Sequence, residues 1–367
     1  MCRKTIVVSA VNVRRGGTLR ILRDCLSYLS SLAVAGEYRI VAIVHKRNLV
    51  EFSGIEYIEM PGTIKSWIRR LWCEYVTMHR ISKELSPVFL WLSLHDTTPR
   101  VTVDRQAMYC QTSFPFLKLK KRDILFDYKI VLFGLFTKFA YKINVHKNRF
   151  IIVQAEWLKN GLSKMLGVEP AKFIVSPPQE MEGNYPPRDK KNDLYSFVYV
   201  AIADCHKNIE LICQAAEILE KEIGKNQFEV ILTLDGTENR YSAWIKKSWG
   251  SIDSIKFIGY LKRDDVYQNY ANADCMIFPS RIETWGLPIS EFKQTGKPML
   301  LADLPYAHEA SEGSRQVSFF DPDNASMLAH QMKLLIKGEN GFLKSVSPDR
   351  NTYSVNTWKG LFEQLLK

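Results

Sequence analysis

The chain has 367 residues, which predicts about two domains at roughly 100–200 residues each. Hydrophobic residues make up 46% and charged residues 24%, a composition that excludes a disordered or collagen-like chain. Residues 1–180 hold 28 Lys/Arg against 14 Asp/Glu, a net charge of +14, and the remainder holds 22 against 25, a net charge of −3. This asymmetry predicts an anionic partner for the first half: a membrane surface, a nucleic acid or a phosphorylated substrate.

The sequence shows no pattern typical of a signal peptide, a membrane-spanning helix or a disulfide framework. The start, MCRKTIVVSAVNVRR, has the length and β-branched composition of a strand rather than of a signal peptide. A run of about 18 uncharged apolar residues does not occur, so we expect no membrane-spanning helix. The seven cysteines are odd in number and widely spaced, without a C-x-x-C. They indicate reduced cysteines in a cytosolic protein rather than disulfides or zinc ligands.

Short β-rich runs alternate with longer helical patterns in the first half. The predicted strands are 5–11, 38–44, 55–60, 88–94, 106–110 and 150–154, and the predicted helices are 18–34, 66–85, 123–146 and 156–166. Several of these strands are continuously apolar, as parallel strands covered on both faces are. The alternation therefore predicts a doubly wound α/β domain over residues 1–178.

A proline-rich, charged stretch without periodicity, 179–196, is predicted to be a linker. The alternation then restarts, with strands at 197–203, 228–236, 255–261, 275–279 and 298–303 and helices at 208–223, 239–249, 264–272, 288–295 and 324–337. This predicts a second Rossmann-like domain, 197–352, followed by a C-terminal segment, 353–367, whose helix can cross back to the first domain. The predicted fold is α/β, with two doubly wound parallel-sheet domains facing a cleft.

The most informative stretch follows the predicted strand 275–279. A loop with Glu283 and Gly286 leads to Pro288 in a first helical turn, and Glu291 lies on that helix. Free N–H groups at a helix start favour an anion, and the two carboxylates can accept hydrogen bonds from sugar hydroxyls. The alternative from spacing alone is that Glu283 caps the helix and Glu291 is a solvated surface residue.

This stretch, E-T-W-G-L-P-I-S-E, resembles the E-x7-E motif of the retaining glycosyltransferases with the two-Rossmann GT-B fold. The sequence is most similar to their large family-four group, which builds bacterial surface polysaccharides. Further stretches extend the resemblance over about residues 4–340: Gly16-Gly17, LHDTTP (94–99), YCQTSFPF (109–116), HKN (206–208), FIGYL (257–261) and YANADCMIFPS (270–280). The resemblance implies fold and reaction class, and it does not specify the sugar.

The resemblance also implies roles for individual residues. Glu291 accepts hydrogen bonds from the ribose hydroxyls of a sugar nucleotide, and Glu283 faces the donor sugar. Backbone N–H groups around Gly286 and Leu287 hold the diphosphate, and Lys207 supplies positive charge as negative charge grows on the leaving phosphate.

The same resemblance places three more residues at the donor. Gly16 and Gly17 let the backbone approach the phosphates from the first domain, where the alternative is an ordinary strand-to-helix turn. Tyr260 lies where the family has its nucleobase pocket, with core or rim packing as the alternative.

Two departures from the family pattern stand out. The arginine usually found shortly before the motif lysine is missing, and Arg281 or His206 is the expected substitute. Gln111 stands where many relatives have a histidine, and glutamine cannot transfer a proton at neutral pH. His95, next to Asp96, is therefore the remaining candidate on the acceptor or donor-sugar side, with a structural histidine as the alternative.

No metal ion or cofactor is expected beyond the donor, a GDP- or UDP-linked sugar. The chain lacks an evident D-x-D pair, because Asp264 and Asp265 are adjacent and Asp321-x-Asp323 suits the cap of the 324–337 helix.

The basic excess is concentrated in two apolar, aromatic stretches. Residues 118–149 hold nine Lys/Arg and two Asp, and 64–75 reads IKSWIRRLWCEY. Such stretches bury aromatic groups and hold cations against anionic headgroups, which predicts a membrane surface. The alternative is a core helix with a solvated basic face, and nucleic acid is disfavoured because no nucleic-acid motif is present.

The sequence thus predicts a hexosyltransferase at the inner face of the cytoplasmic membrane, acting in lipopolysaccharide or O-antigen synthesis. The first domain binds a polyprenyl-diphosphate-linked glycan acceptor and the second binds the sugar nucleotide. The alternatives are a sugar-nucleotide epimerase or glycogen-synthase-like polymerase of the same fold, and a non-catalytic scaffold subunit at the membrane.

Overall fold

A computed structural model describes residues 3–179, 183–189, 192–348 and 355–367. Within them the chain forms two compact units. The first contains residues 3–115, 135–179 and 355–367, and the second contains 116–134, 183–189 and 192–348. Each unit has one all-parallel sheet with helices in its crossovers, as the sequence predicts.

The first unit is built on a seven-stranded sheet of order β3-β2-β1-β4-β5-β6-β7. Its strands are β1 (Lys4–Ala10), β2 (Tyr38–Val44), β3 (Ile55–Glu59), β4 (Val88–Ser93), β5 (Arg105–Tyr109), β6 (Phe150–Val153) and β7 (Phe173–Val175). The central strands are fully buried apolar runs, because helices cover both faces. β7 was not predicted, since three residues are too few to show a period.

The helices of the first unit are α1 (Gly16–Val34), α2 (Trp67–Trp72), α3 (Met78–Glu84), α5 (Glu156–Leu166) and α12 (Trp358–Leu365). A further helix, α4 (Lys121–Lys142), has its residues up to 134 in the second unit and the rest in the first. A π turn, Cys73–Thr77, joins α2 to α3. The C-terminal helix α12 packs in this unit, where Phe362 stacks on Tyr28 with ring centroids 5.5 Å apart.

The second unit has a six-stranded sheet of order β10-β9-β8-β11-β12-β13. Its strands are β8 (Tyr195–Tyr199), β9 (Phe228–Leu232), β10 (Ile255–Phe257), β11 (Cys275–Phe278), β12 (Met299–Ala302) and β13 (Val317–Phe320). Its helices are α6 (Ile209–Ile223), α7 (Arg240–Trp249), α8 (Arg263–Asn272), α9 (Leu287–Lys293), α10 (Pro305–Ala310) and α11 (Ala325–Ile336). β13 and α10 were not predicted.

The units differ from the predicted boundaries in one segment. Residues 116–134 were assigned to the first domain, yet they pack in the second unit although they lie between β5 and β6 in sequence. The physical reason is a set of local contacts: Phe126 packs on Tyr241 and Trp244 at centroid distances of 5.6 and 5.0 Å, and Asp123 pairs with Arg281. α4 is kinked at Asp127 (φ −150°, ψ 78°), just beyond these contacts.

Among the described residues no helix combines the length and hydropathy needed to cross a bilayer. The six cysteines described are free and buried. Cys2 and the predicted boundary at residue 352 lie outside the described residues.

Candidate active site

Strand order reverses between β8 and β11 in the second unit. β9 and β10 lie on one side of β8, whereas β12 and β13 lie beyond β11. In open parallel sheets, ligands bind outside the carboxyl ends of the strands at such a switch point. The loops that follow β8 and β11 carry the predicted Lys207 and Glu283, so the fold places both residues at this position.

Lys207 and Glu283 form a direct ion pair. Lys207 ends a short 3₁₀ turn, Cys205–Lys207, and Asn208 then adopts the left-handed conformation (φ 57°) at the start of α6. The Lys207 Nζ donates to Glu283 Oε1 at 2.6 Å, with side-chain exposures of 17% and 16%. The pair is therefore half-buried but still open to a ligand, and its cation is the type of group that binds a phosphate.

The loop after β11 enters α9 through Gly286. Its φ of 99° lies in the left-handed region, and a Cβ added there would lie 3.2 Å from Ile289 Cδ1. Glycine is therefore required for this entry. Glu291 lies on α9 with 22% of its side chain exposed, and its Oε1 is 4.0 Å from Arg263 Nη2. The structure thus places Glu283, Gly286, Leu287 and Glu291 on one loop-helix element, as the motif predicts.

Arg281 does not lie free beside the lysine. Its guanidinium, 6% exposed, makes a bidentate ion pair with Asp123 and also donates to the Cys205 carbonyl at 3.2 Å. His206 is buried, and desolvation, reinforced by the Lys207 and Arg281 charges, lowers its pKa well below the usual value. A neutral imidazole and an occupied guanidinium are poor substitutes for the missing arginine as diphosphate contacts.

Tyr260 lies on the surface of the second unit, with 84% of the residue exposed. It follows Gly259, which has a φ of 75°, in the loop after β10. The alternative of core packing is therefore wrong for this ring, its place in a nucleobase pocket stays a prediction, and an exposed aromatic face is available for stacking.

The first sheet has its own switch point, between β1 and β4. Gly16 and Gly17 begin α1 after β1, and both are exposed. Gly16 has a φ of 66°, and a Cβ added there would meet nothing within 4 Å. The glycine is therefore required by the backbone rather than by a packed neighbour, and the space beside it is open.

His95 follows β4 at the same switch point but is enclosed in a buried polar network. Its Nε2 lies 3.1 Å from Ser9 Oγ, and its Nδ1 lies 3.0 Å from Thr97 Oγ1 and 3.4 Å from Glu74 Oε1. Arg70 binds both Glu74 Oε1, at 3.0 Å, and the His95 carbonyl, at 2.9 Å. Desolvation lowers the His95 pKa to about 4, although Glu74 opposes the shift. The imidazole is therefore neutral at pH 7.

Asp96 organises the loop that carries Gln111. Asp96 adopts the left-handed backbone conformation (φ 67°). Its carboxylate accepts hydrogen bonds from the Gln111 N–H at 2.5 Å and from Thr112 Oγ1 at 2.9 Å. The Gln111 amide donates to the Leu94 carbonyl at 2.9 Å. Burial raises the Asp96 pKa, while the two hydrogen bonds oppose the shift. These contacts give both residues a structural function in the first unit.

Two groups of residues around these sites were not predicted from the sequence. Glu74 was assigned to a membrane-facing stretch, yet it is buried (1% exposed), and its only signal was the i, i+4 spacing from Arg70. Arg122 and Asp123 were counted as part of a charged surface, and no local pattern marks their distant partners.

His95 leads to a stability prediction. A histidine whose pKa is about 4 when folded and about 6.5 when unfolded contributes fully above pH 6.5, and this contribution is lost as the pH falls towards 4, because the unfolded chain takes up the proton first. Glutamine at this position does not titrate. We expect the difference in unfolding free energy between wild type and His95→Gln to narrow by about 2 kcal/mol from pH 7 to pH 4.5. Urea unfolding at both pH values measures it, and a constant difference contradicts a neutral buried His95.

Comparison with known proteins assigns a family to the second half of the chain. Residues 184–353 match the family model described as "Glycosyl transferases group 1". Residues 184–353 are a group 1 glycosyltransferase domain. The group 1 domain contains the Lys207–Glu283 pair, the α9 element and Tyr260.

Individual relatives are distant. The chain is 20% identical over 178 residues to the O-antigen chain mannosyltransferase RfbU of Salmonella typhimurium, an alignment that covers 48% of each protein. The chain thus matches about half the length of that curated relative. Its structure is similar to the lipopolysaccharide outer core galactosyltransferase WaaB, with a TM-score of 0.66 at 12% identity over 99% of each chain. It is also similar to Anabaena HepE in complex with UDP-glucose, with a TM-score of 0.65 at 13% identity over 93% of each chain. These structural similarities establish the two-domain GT-B fold around the group 1 domain.

Proposed function

We propose that this protein is a retaining glycosyltransferase. It transfers a hexose-type sugar from a nucleoside diphosphate to a lipid-linked saccharide acceptor in bacterial surface polysaccharide synthesis. The observation that carries the proposal is the half-buried Lys207–Glu283 pair, which lies at the switch point of a group 1 domain beside the helix that holds Glu291. A cation, two carboxylates and free backbone N–H groups match the parts of a sugar nucleotide: diphosphate, hexose hydroxyls and ribose diol.

Each residue of this site has one role in the proposed reaction, either in binding the donor or in stabilising the leaving phosphate. Glu291 accepts hydrogen bonds from the ribose hydroxyls, and Glu283 accepts one from the donor hexose. The bond between the anomeric carbon and the β-phosphate oxygen breaks, and the Lys207 ammonium with the N–H groups at Gly286 and Leu287 stabilises the charge that develops on that phosphate. The acceptor oxygen bonds to the same face of the carbon, and its proton passes to the leaving phosphate. A protein base, such as His95, is not needed for this step.

The donor base is the first point to test. One relative is a mannosyltransferase, which supports a hexose donor, and one similar structure is a complex with UDP-glucose, which supports UDP as the nucleotide, with GDP as the alternative. Thermal unfolding with GDP, UDP and dTDP tests this, because a nucleotide that binds the folded chain raises its stability by RT ln(1 + [L]/Kd). Stabilisation by one of the three supports the proposal, and stabilisation by none contradicts it. Binding without sugar transfer favours the scaffold alternative, and donor conversion without an acceptor favours an epimerase.

Glu291 gives a prediction for binding. Replacing it with alanine removes the acceptor for the ribose diol, and a charged hydrogen bond of this kind contributes about 1.5–3 kcal/mol, or roughly 10- to 100-fold in affinity. We expect Glu291→Ala to raise the Kd of the nucleoside diphosphate by that factor in titration calorimetry. The control is Glu222→Ala, which removes an exposed carboxylate that pairs with Lys333 in the same unit. Equal Kd values for Glu291→Ala and wild type contradict the ribose assignment.

Exposed apolar faces support a membrane-bound acceptor. In and just after the basic stretch 64–75, five large apolar residues are 44–78% exposed: Trp67, Ile68, Leu71, Trp72 and Val76. Lys65 and Arg69 beside them are also exposed. The spacing of these apolar residues places them along one side of the helical stretch.

α4 also carries exposed apolar side chains in each of its two parts. The part in the second unit exposes Ile124, Leu125, Tyr128 and Leu132 beside Lys129, and the part in the first unit exposes Leu135, Phe136 and Phe139 beside Lys138 and Lys142. Faces that combine exposed aromatic and aliphatic groups with lysines bind the interface of an anionic bilayer. We propose that the protein works peripherally at the inner face of the cytoplasmic membrane.

A further inference from the structure

The turn that carries Lys207 is held by a segment that is remote in sequence. Asp123, 2% exposed, lies at the start of α4. Its carboxylate accepts from both Nη atoms of Arg281, from the Lys120 N–H at 2.7 Å and from Cys205 Sγ at 3.1 Å. Arg281 and its hydrogen bonds hold the Asp123 pKa below its usual value against the effect of burial. The carboxylate is therefore charged and fully bound at neutral pH.

The Asp123–Arg281 pair contacts the backbone of the turn directly. Arg281 donates from Nη2 to the Cys205 carbonyl at 3.2 Å, and from its own N–H to the His206 carbonyl at 2.8 Å. The Lys207 carbonyl accepts from the Tyr199 hydroxyl at 3.1 Å. The carbonyl of each residue of the turn is thus held by Arg281, in the loop after β11, or by Tyr199 of β8, and Asp123 holds the Arg281 guanidinium in place.

Arg122 binds the other end of the turn. It donates to Asn208 Oδ1 at 2.7 Å and pairs with Glu210, which is buried (1% exposed). Asn208 Nδ2 donates in turn to the Pro279 and Pro322 carbonyls at 3.2 and 2.9 Å. Asn208 is the left-handed residue that sets the direction in which α6 leaves Lys207, so its orientation affects where the lysine side chain begins.

We propose that Arg122 and Asp123 are positioning residues for the donor diphosphate, because they lock the Cys205–Asn208 turn that presents Lys207. The inference rests on the proposed function, since it assigns these residues to the same site. A buried ion pair adds little net stability compared with apolar packing, but it fixes geometry, which makes positioning the reason to expect one here. An ammonium displaced by about 1 Å from a phosphate can cost up to roughly 100-fold in rate.

The test uses the full chain with Asp123→Asn, which keeps the shape of the side chain and removes its charge. We expect the Kd of the nucleoside diphosphate that stabilises the wild type, and the KM for the corresponding donor, to rise by about 10-fold or more. The matched control is Lys120→Gln. It removes the ion pair of the same segment with Asp323, which does not touch the turn. If Asp123→Asn binds nucleotide like the control, the positioning role is overturned.

A second variant guards against loss of folding. Arg122→Gln removes a side chain that is 25% exposed and breaks the contact with Asn208, and we expect it to raise the Kd in the same direction. The double variant Asp123→Asn/Arg281→Gln is expected to bind no worse than Arg281→Gln alone, because the Asp123 substitution breaks a pair that the loss of Arg281 has already broken. Additive losses overturn the role of the Asp123–Arg281 pair, and an unchanged Kd for Arg122→Gln overturns the positioning role of Arg122.

The outcomes separate this inference from the proposed function. If the wild type binds no nucleotide, both fail. If the wild type binds, Lys207→Ala does not, and Asp123→Asn and Arg122→Gln bind like the wild type, the proposed function stands and only the positioning role is overturned.

Discussion

Lys207→Ala is expected to lower kcat for sugar transfer by about 10²- to 10³-fold, the cost of removing one preorganised group from a developing oxyanion. The Lys207 ammonium is half-buried and lies 2.6 Å from Glu283, at the position where the β-phosphate leaves in the proposed reaction. Steady-state transfer of radiolabelled sugar from the donor to a membrane acceptor measures the effect. Because the charge on the phosphate is larger in the transition state than in the ground state, kcat falls more than the affinity for the donor does.

The matched control for this variant is Lys221→Ala. Lys221 pairs with Glu217 at 2.7 Å in the same unit, a distance similar to that of the Lys207 pair, but the lysine side chain is 73% exposed and lies on α6 away from the turn. Surface pairs of this kind contribute about 0–1 kcal/mol and no catalysis. Full activity of Lys207→Ala, or equal losses in both variants, contradicts the assignment of Lys207 to the leaving group.

The elements of the sheets could be predicted because their signals are local. Continuous apolar runs bounded by polar loops marked β2 (Tyr38–Val44) and the centre of each sheet, and amphipathic periods marked α5 (Glu156–Leu166) and α7 (Arg240–Trp249). Once the βα alternation was established, the positions of Lys207 and Glu283 at strand ends followed from chain order. Their meeting at one switch point needed only the strand order β8–β11, which the family resemblance implied.

The contacts that support the site could not be predicted, because they join residues far apart in sequence. Asp123 and Arg281 are 158 positions apart, and neither has a neighbour that signals a buried ion pair. Arg122 and Lys120 were predicted to be part of a basic surface, yet they pair with Glu210 and Asp323, respectively. The net charge of a segment therefore overstates the number of cations that are available to bind a membrane.

Pairing of cations inside the protein also limits what the basic stretch 64–75 can offer to a membrane. Arg70 is occupied by Glu74 and the His95 carbonyl, so Lys65 and Arg69 are the exposed cations that remain beside the apolar residues. Two cations contribute about 2 kcal/mol at an anionic surface. Under the membrane hypothesis, most of the free energy of binding this face to a bilayer therefore comes from its apolar side chains.

The triple variant Ile68→Ser/Leu71→Ser/Trp72→Ser tests that conclusion. These side chains belong to residues that are 78%, 46% and 63% exposed, so their loss changes the unfolding free energy little. Each contributes about 1 kcal/mol or more when buried in the interface, so affinity for vesicles is expected to fall on the order of 100-fold. Co-sedimentation with vesicles of phosphatidylglycerol and phosphatidylethanolamine measures it.

A control triple variant, Val34→Ser/Ile218→Ser/Met327→Ser, removes exposed apolar side chains from three separate helices. Because scattered apolar residues form no continuous face, we expect this variant to bind vesicles like the wild type. High salt weakens only the contribution of the cations, since screening acts on charge and not on apolar burial. Vesicle binding that disappears in high salt, yet survives the Ile68, Leu71 and Trp72 substitutions, would mean that basic residues hold the protein at the membrane. In that case the apolar face of the stretch 64–75 does not enter the bilayer.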